Sequence, residues 1–337
     1  MISIYFAPME GITGHIYRNL YQSCFYNIDK YFTPFIVGNR KAGMKARELR
    51  DVLPENNPDI NIVPQILTAD ATEFVNTAKR LQLLGYSEVN LNLGCPSGTV
   101  VSKGRGSGFL AFPDKLDAFF EEVFEKTDVR VSVKTRLGMD DVSEFDGLLS
   151  IYCKYPLTEL IIHPRSRKEL YSGHVHLDIF SLAVERCPFP VCYNGDIFRV
   201  EDYRQIRNRF PQVSRIMIGR GLLANPFLVE QIRAAEEAQF MMVEGGSKEL
   251  QKTSKEFLQE FYDRLYDGYR QELSGDKDVL FKLKELWNYQ IWMFDDEGKH
   301  IKAIRKAKTK TEYDLAVRGL FRECELLEDA GMFYRAR

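Results

Sequence analysis

The chain has 337 residues, 45% of them hydrophobic, and a formal net charge of −2, which suits one large α/β domain with a smaller one attached and excludes a disordered chain or a globally basic nucleic-acid binder. Its six cysteines (Cys24, Cys95, Cys153, Cys187, Cys192, Cys324) form no CxxC pair and its five histidines no HExxH, so neither a metal site nor a disulfide framework is expected. No segment approaches the roughly 20 apolar residues of a membrane span, and residues 1–6 carry no basic region before an apolar run, so a soluble cytoplasmic protein is expected.

From the N-terminus, short apolar runs alternate with amphipathic stretches. The pattern predicts strands at Ile4–Ala7, Tyr31–Phe35, Ile62–Leu67, Glu88–Leu93, Val129–Thr135, Leu160–His163, Val191–Asn194 and Arg215–Ile218. Helices are predicted at Ala69–Leu84, Pro113–Lys126, Val142–Tyr155, Val200–Phe210 and Asn225–Ala238. Such alternation predicts a parallel sheet closed into a (β/α)8 TIM barrel. An open doubly wound sheet is the alternative, but no GxGxxG follows the first strand.

Beyond a Gly245-Gly246-Ser247 linker the pattern is helical only, at Ser254–Leu273, Asp276–Phe294 and Thr311–Ala330. This predicts two domains, a barrel over 1–244 and a smaller all-α domain over 245–337. The aromatics of the second recur at helical spacing and read as a bundle core. One stretch, Lys299, His300, Lys302, Arg305, Lys306, Lys308 and Lys310, is basic without an intervening acid. It reads either as a solvated helix face or as a local footing for phosphates.

The C-terminal tips of the strands hold most of the chemistry. They carry Ala7-Pro8-Met9-Glu10-Gly11, Gln65, Asn92 with Gly94-Cys95-Pro96, Lys134-Thr135-Arg136, His163-Pro164-Arg165, Asn194-Gly195-Asp196 and Gly219-Arg220-Gly221. A barrel of this class places its active site at that face. Gly219 and Arg220, between a strand and a helix, suit a phosphate, with Asn194, Gly195 and Asp196 one strand away. Lys134, at the end of an apolar strand, must face a negative group or lose its proton. A flavin, anionic when reduced, meets that need, with Gln65 and His163 as further hydrogen-bonding groups. Cys95 sits on a glycine-proline turn that opens into Gly104-Arg105-Gly106-Ser107-Gly108, which reads as a mobile loop.

The ordered series resembles the tRNA-dihydrouridine synthase family. It comprises Ala7-Pro8-Met9-Glu10-Gly11-Ile12-Thr13, Pro64-Gln65-Ile66, Asn90-Leu91-Asn92-Leu93-Gly94-Cys95-Pro96, Val133-Lys134-Thr135-Arg136-Leu137-Gly138, His163-Pro164-Arg165-Ser166-Arg167 with Tyr171-Ser172-Gly173, Asn194-Gly195-Asp196-Ile197 and Met217-Ile218-Gly219-Arg220-Gly221. The resemblance spans residues 4 to about 228. One departure is Gly14, where the family often has Asp or Asn.

The resemblance implies an FMN-dependent oxidoreductase with a helical RNA-binding domain, acting on the carbon 5–carbon 6 double bond of uridines in the D-loop of tRNA, with NADPH as reductant. It implies FMN binding by Pro8, Met9, Gln65, Lys134, His163, Asn194, Gly195, Asp196, Gly219 and Arg220. Cys95 would be the proton donor, as a thiol and not a thiolate. Asn92 and Arg136, with Arg165 and Tyr171, would bind the uracil of an extruded nucleotide. Lys302, Arg305 and Lys306, with loop cations such as Arg105 and Arg167, would grip tRNA phosphates. No metal and a monomer are expected. The rival readings are a dihydroorotate-dehydrogenase-like enzyme on a free pyrimidine and a flavin-free RNA-binding factor that keeps the barrel.

Overall fold

The computed structural model describes residues 2–25, 27–40, 43–241 and 255–327. The expected linker at 245–247 and the ends of two expected helices, Ser254 and residues 328–330, lie outside them. Ten short strands form one sheet in the order β3-β5-β6-β7-β8-β9-β10-β1-β2-β4, and every pair is parallel. They are β1 (Ser3–Phe6), β2 (Lys30–Phe32), β3 (Ile36–Val37), β4 (Ile62–Val63), β5 (Gln65–Leu67), β6 (Glu88–Leu93), β7 (Arg130–Arg136), β8 (Leu160–His163), β9 (Val191–Tyr193) and β10 (Arg215–Ile218).

One expected strand, Ile62–Leu67, is split at a proline, and another, Tyr31–Phe35, stops short of one, with the unexpected β3 forming beyond its expected end. Pro64 separates β4 from β5, and Pro34 lies between β2 and β3. A proline has no N–H to give the ladder, so pairing lapses at that residue and resumes beyond it. Around the gap, Thr33 N–H donates to the Val63 carbonyl at 3.2 Å and Asn90 N–H to the Pro64 carbonyl at 2.9 Å. Because β4 pairs with β2 while β5 pairs with β6, the kinked stave joins the two ends of the sheet order. The ring of eight staves is thereby closed into the expected barrel.

Packing follows the two periods. Inside the barrel, Tyr5, Ala7, Phe32, Val63, Ile161, Cys192 and Met217 form one buried cluster. At the strand starts, fully buried Glu159 is held by Lys30 at 3.0 Å and Arg215 at 3.1 Å, and accepts from the Tyr5 hydroxyl at 3.2 Å. A buried carboxylate is tolerable when it is neutralised on both oxygens. The N-terminal face of the barrel is thus closed by ion pairs. The Ala71–Leu83 helix begins at Asp70, whose side chain accepts from Glu73 N–H, as helix starts require. The His15–Phe25 helix was not among the expected ones, although Tyr17, Tyr21 and Phe25 recur every four residues and all are buried.

Contacts divide the chain into two compact units. One holds residues 1–10, 29–195 and 209–218, including the whole sheet; the other holds 11–28, 196–208 and 219–337. In the second unit the helices Lys255–Glu272, Asp276–Gln290 and Lys310–Glu323 bury an aromatic core. Trp287 stacks on Tyr262 with centroids 4.4 Å apart and donates to the Tyr313 hydroxyl at 2.7 Å. The same core takes in the first helix, where Tyr17 meets Phe261 edge-on at 6.0 Å and Phe25 meets Phe257 at 5.7 Å.

Candidate active site

Side chains alternate along a strand, and parallel register lines up neighbours on one face. Gln65 is in register with Asn90, and Asn90 with Ser132. Two residues on, Asn92 is in register with Lys134, then Ile161 and Cys192. Two further on, Arg136 is in register with His163. The residues expected from strand tips therefore form successive rows at the C-terminal end of the sheet.

The first row, joined by Asn92 of the second, is a buried amide ladder. Asn92 Nδ2 donates to Gln65 Oε1 at 2.7 Å, Gln65 Nε2 to Asn90 Oδ1 at 2.8 Å, and Asn90 Nδ2 to Ser132 Oγ at 3.0 Å. Each amide is oriented by the next, so the ladder has one sense only. Asn92 Oδ1 in turn accepts from the backbone N–H of Gly94 at 3.1 Å and of Cys95 at 2.9 Å. This fixes the turn that carries the thiol. Asn90 and Ser132 were not among the expected site residues, and their polar spacing at every second position of a buried strand was the available signal.

The glycine-rich segment after Cys95 is not a free loop. Gly98–Val101 is a helical turn, Gly106–Ala111 is 3-10, and residues 106–110 are buried. Ser107 clasps the Cys95 carbonyl through its backbone N–H at 3.2 Å and its hydroxyl at 2.8 Å. Gly106 has φ +57°, and a Cβ there would lie 2.9 Å from the Cys95 carbonyl oxygen. The expected mobile loop is thus corrected to a packed support, because glycine lets two backbones touch. Arg105 pairs with Glu73 at 3.1 Å.

The electrostatics separate the titrating groups. Burial raises the Cys95 thiol, the Glu10 carboxylate adds to the rise, and Arg136 and Lys134 oppose it. Lys134 is pushed down to about 8, first by burial and then by the Arg136 charge. Among the described residues no hydrogen bond or ion pair to Lys134 occurs, so its ammonium is desolvated and unmatched. His163 is held well below its ordinary range by burial and by Arg136, Lys134 and Arg165. Its Nδ1 lies 2.8 Å from the Asn194 carbonyl, which can only accept, so the neutral ring carries its proton there. Nε2 then faces Arg165 Nη1 at 3.5 Å as an acceptor.

Arg136 and Arg165, expected to meet a uracil, are buried staples. Arg136 donates to the Gly94 carbonyl at 3.0 Å, the Ser166 carbonyl at 3.0 Å and the Leu170 carbonyl at 2.7 Å. Arg165 donates to the Ser172 carbonyl at 3.0 Å and the Gly173 carbonyl at 2.7 Å. Tyr171 is exposed, with the Arg136 guanidinium 5.1 Å from its ring centre. Pro8 and Met9 follow β1 and are half-buried. Asn194 donates to the Met217 carbonyl at 2.9 Å, and a Cβ on Gly195 would strike the Tyr193 hydroxyl at 2.1 Å.

In the second unit, Asp196 pairs with Arg220 at 2.7 Å, and Gly219 caps the Arg220–Ala224 turn. The basic run is only partly as expected. The helix is Lys299–Lys306, so Lys308 and Lys310 lie beyond it, and His300 is buried. Lys299 pairs with Glu323 and Lys310 with Asp314. Arg305 bonds Asn288 Oδ1 at 2.9 Å. Lys302 and Lys306 are exposed, with no acidic partner among the described residues.

Comparison with known proteins agrees with this layout. The model of the dihydrouridine synthase family matches residues 5–315. The tRNA-dihydrouridine synthase B of Pasteurella multocida is 26% identical over 260 residues, covering 77% of this chain and 77% of its own. A probable tRNA-dihydrouridine synthase of Staphylococcus aureus is 29% identical over 231 residues, 67% of this chain and 70% of that relative. Among solved structures, morphinone reductase superimposes with a TM-score of 0.51 at 12% identity, over 69% of this chain and 86% of its own. At that identity the likeness is one of fold.

Proposed function

The chain belongs to the dihydrouridine synthase family, and from that premise we propose that it reduces uridines in the D-loop of tRNA in the cytoplasm, using FMN and NADPH. The observation that carries the reading is an unmatched ammonium, Lys134, on the same row as Asn92, whose side chain holds the turn that bears the Cys95 thiol. A reduced flavin is an anion that Lys134 would neutralise, and the pre-oriented Gln65–Asn90–Asn92 amides offer fixed polar edges beside it. The residues present therefore fit FMN. Pro8, Met9, Gln65, Lys134, His163, Asn194 and Gly195 are assigned to the flavin, and Asp196, Gly219 and Arg220 to its phosphate end.

When bound, reduced FMN supplies the hydride that carbon 6 of the uracil accepts, and NADPH restores it. Cys95 holds the proton that carbon 5 requires. A thiol with ordinary pKa near 8.5, raised further by burial, remains protonated at neutral pH. No activating base is needed, unlike at a cysteine nucleophile. Asn92 aims the thiol by binding the two amides of its turn, and Arg136 ties the same turn to the 166–171 loop. Both act on the uracil through this turn and by lining its approach, together with Arg165 and Tyr171. Lys302, Arg305 and Lys306 are assigned to tRNA phosphates.

The test is to supply the purified protein with FMN, NADPH and tRNA from cells lacking its gene. Dihydrouridine should appear with the native protein. Cys95→Ala should lose at least about 100-fold of it, the scale of a general acid, while NADPH still bleaches the flavin. Loss of bleaching as well would remove Cys95 from the proton-donor role, and activity on free orotate but not on tRNA would favour a free-pyrimidine reductase.

A further inference from the structure

Leu170 and Tyr171 are consecutive, and both are strongly exposed at 47% and 48%. Leu170 also has φ +54°. Glycine, asparagine or aspartate tolerate that left-handed backbone, whereas leucine is a poor choice for it. A leucine kept there, with its side chain in water, is explained neither by packing nor by backbone preference. An outlier of this kind, over-determined by its surroundings, points to a use for the side chain.

The surroundings do over-determine it. Leu170 N–H donates to the Arg167 carbonyl at 3.0 Å, and its own carbonyl accepts from Arg136 at 2.7 Å. Before it, Glu169 accepts from Ser166 N–H and meets His176 Nε2, both at 2.6 Å. After it, Arg165 grips the carbonyls of Ser172 and Gly173. The tip is therefore rigid, and Arg136 spans from Leu170 to the Gly94 carbonyl of the Cys95 turn. Lys168, two residues before Leu170, is exposed. An apolar point beside a cation matches a nucleic acid, with bases for the one and phosphates for the other.

We propose that Leu170 is a stacking wedge that enters the RNA at the place left by the extruded uridine, with Arg136 holding it in register with Cys95. The wedge rests on the uridine-reductase reading. Extruding a base breaks its stacking on both neighbours, and an apolar side chain in the gap restores part of it. The strained backbone keeps the wedge erect before RNA arrives, so little ordering is left for binding.

The experiment uses the full-length flavoprotein and a tRNA carrying 2-aminopurine beside the uridine that the native protein reduces. Native protein should brighten 2-aminopurine on binding, because its stacking partner leaves. Leu170→Gly and Leu170→Asn both suit the left-handed backbone and should fold at least as stably as the native protein. They should lose most of the brightening and about tenfold or more in kcat/KM on tRNA, with flavin reduction by NADPH unchanged. Leu170→Met should retain both. Variants within twofold of the native protein, or a kcat/KM loss with undiminished brightening, overturn the wedge alone. A native protein that reduces no uridine in any tRNA overturns the function, and the wedge with it.

Discussion

At the tip of β7, Lys134 loses hydration without gaining a partner, and this makes it the residue whose titration reports most directly on the site. Its folded value is about 8, against roughly 10.4 in an unfolded chain. Below pH 8 both states are charged and the folded state carries the full desolvation cost. Between about 8 and 10.4 the unfolded chain holds more protons, so stability rises with pH through that window. Lys134→Met should therefore stabilise the flavin-free protein at pH 7 by up to about 3 kcal/mol, and the gain should shrink towards pH 10 in thermal unfolding. An anionic flavin reverses the sign by drawing the proton back. Native affinity for reduced FMN should fall as pH rises through 8, and that of Lys134→Met should be weaker and level. Level profiles for both proteins would remove Lys134 from the flavin contact. Lys134, like Cys95, was legible in the sequence because a lone polar group closing an apolar strand has few structural uses. The carbonyl-stapling roles of Arg136 and Arg165 were not, since they depend on how loops fold back, 30 or more residues away for Arg136 and seven or eight for Arg165.

Among the elements, the Lys299–Lys306 helix separates charge from availability. Five of its eight residues were counted in the basic run, yet Lys299 is committed to Glu323 and His300 is buried. What remains for phosphates is Lys302, Arg305 and Lys306. Changing these three to Glu should weaken tRNA binding and lower the slope of log affinity against log salt by up to about 3. Unchanged affinity in a filter-binding titration would leave them a solvated face. Strands β5, β6 and β7 show the opposite case. Their polar residues looked isolated in the sequence, but parallel register makes them one ladder, from Gln65 through Asn90 to Ser132. The two proline breaks were visible as residues, while the joint they leave between the ends of the sheet order follows only from which strands pair.

At the scale of the whole chain, the expected boundary at residue 245 falls outside the described residues, and the contacts group sequence differently. The unit that contains the C-terminal helices also contains residues 11–28. Phe257 and Phe261 cover Phe25 and Tyr17, and His15 pairs with Glu272 at 2.5 Å. A chain ending at residue 244 should therefore expose that aromatic face, and its unfolding midpoint should drop by several degrees or the protein aggregate. A truncated chain as stable as the full one would show that residues 11–28 need no such cover. The alternation of strand and helix, the apolar interiors and the polar tips were determined by the sequence itself, because side-chain periodicity and the strand-breaking of glycine and proline are local. Which tips share a row, which arginines are bound by distant carbonyls and which helix completes the aromatic core were decided by the tertiary structure, because register, burial and charge pairing exist only between residues far apart in the chain.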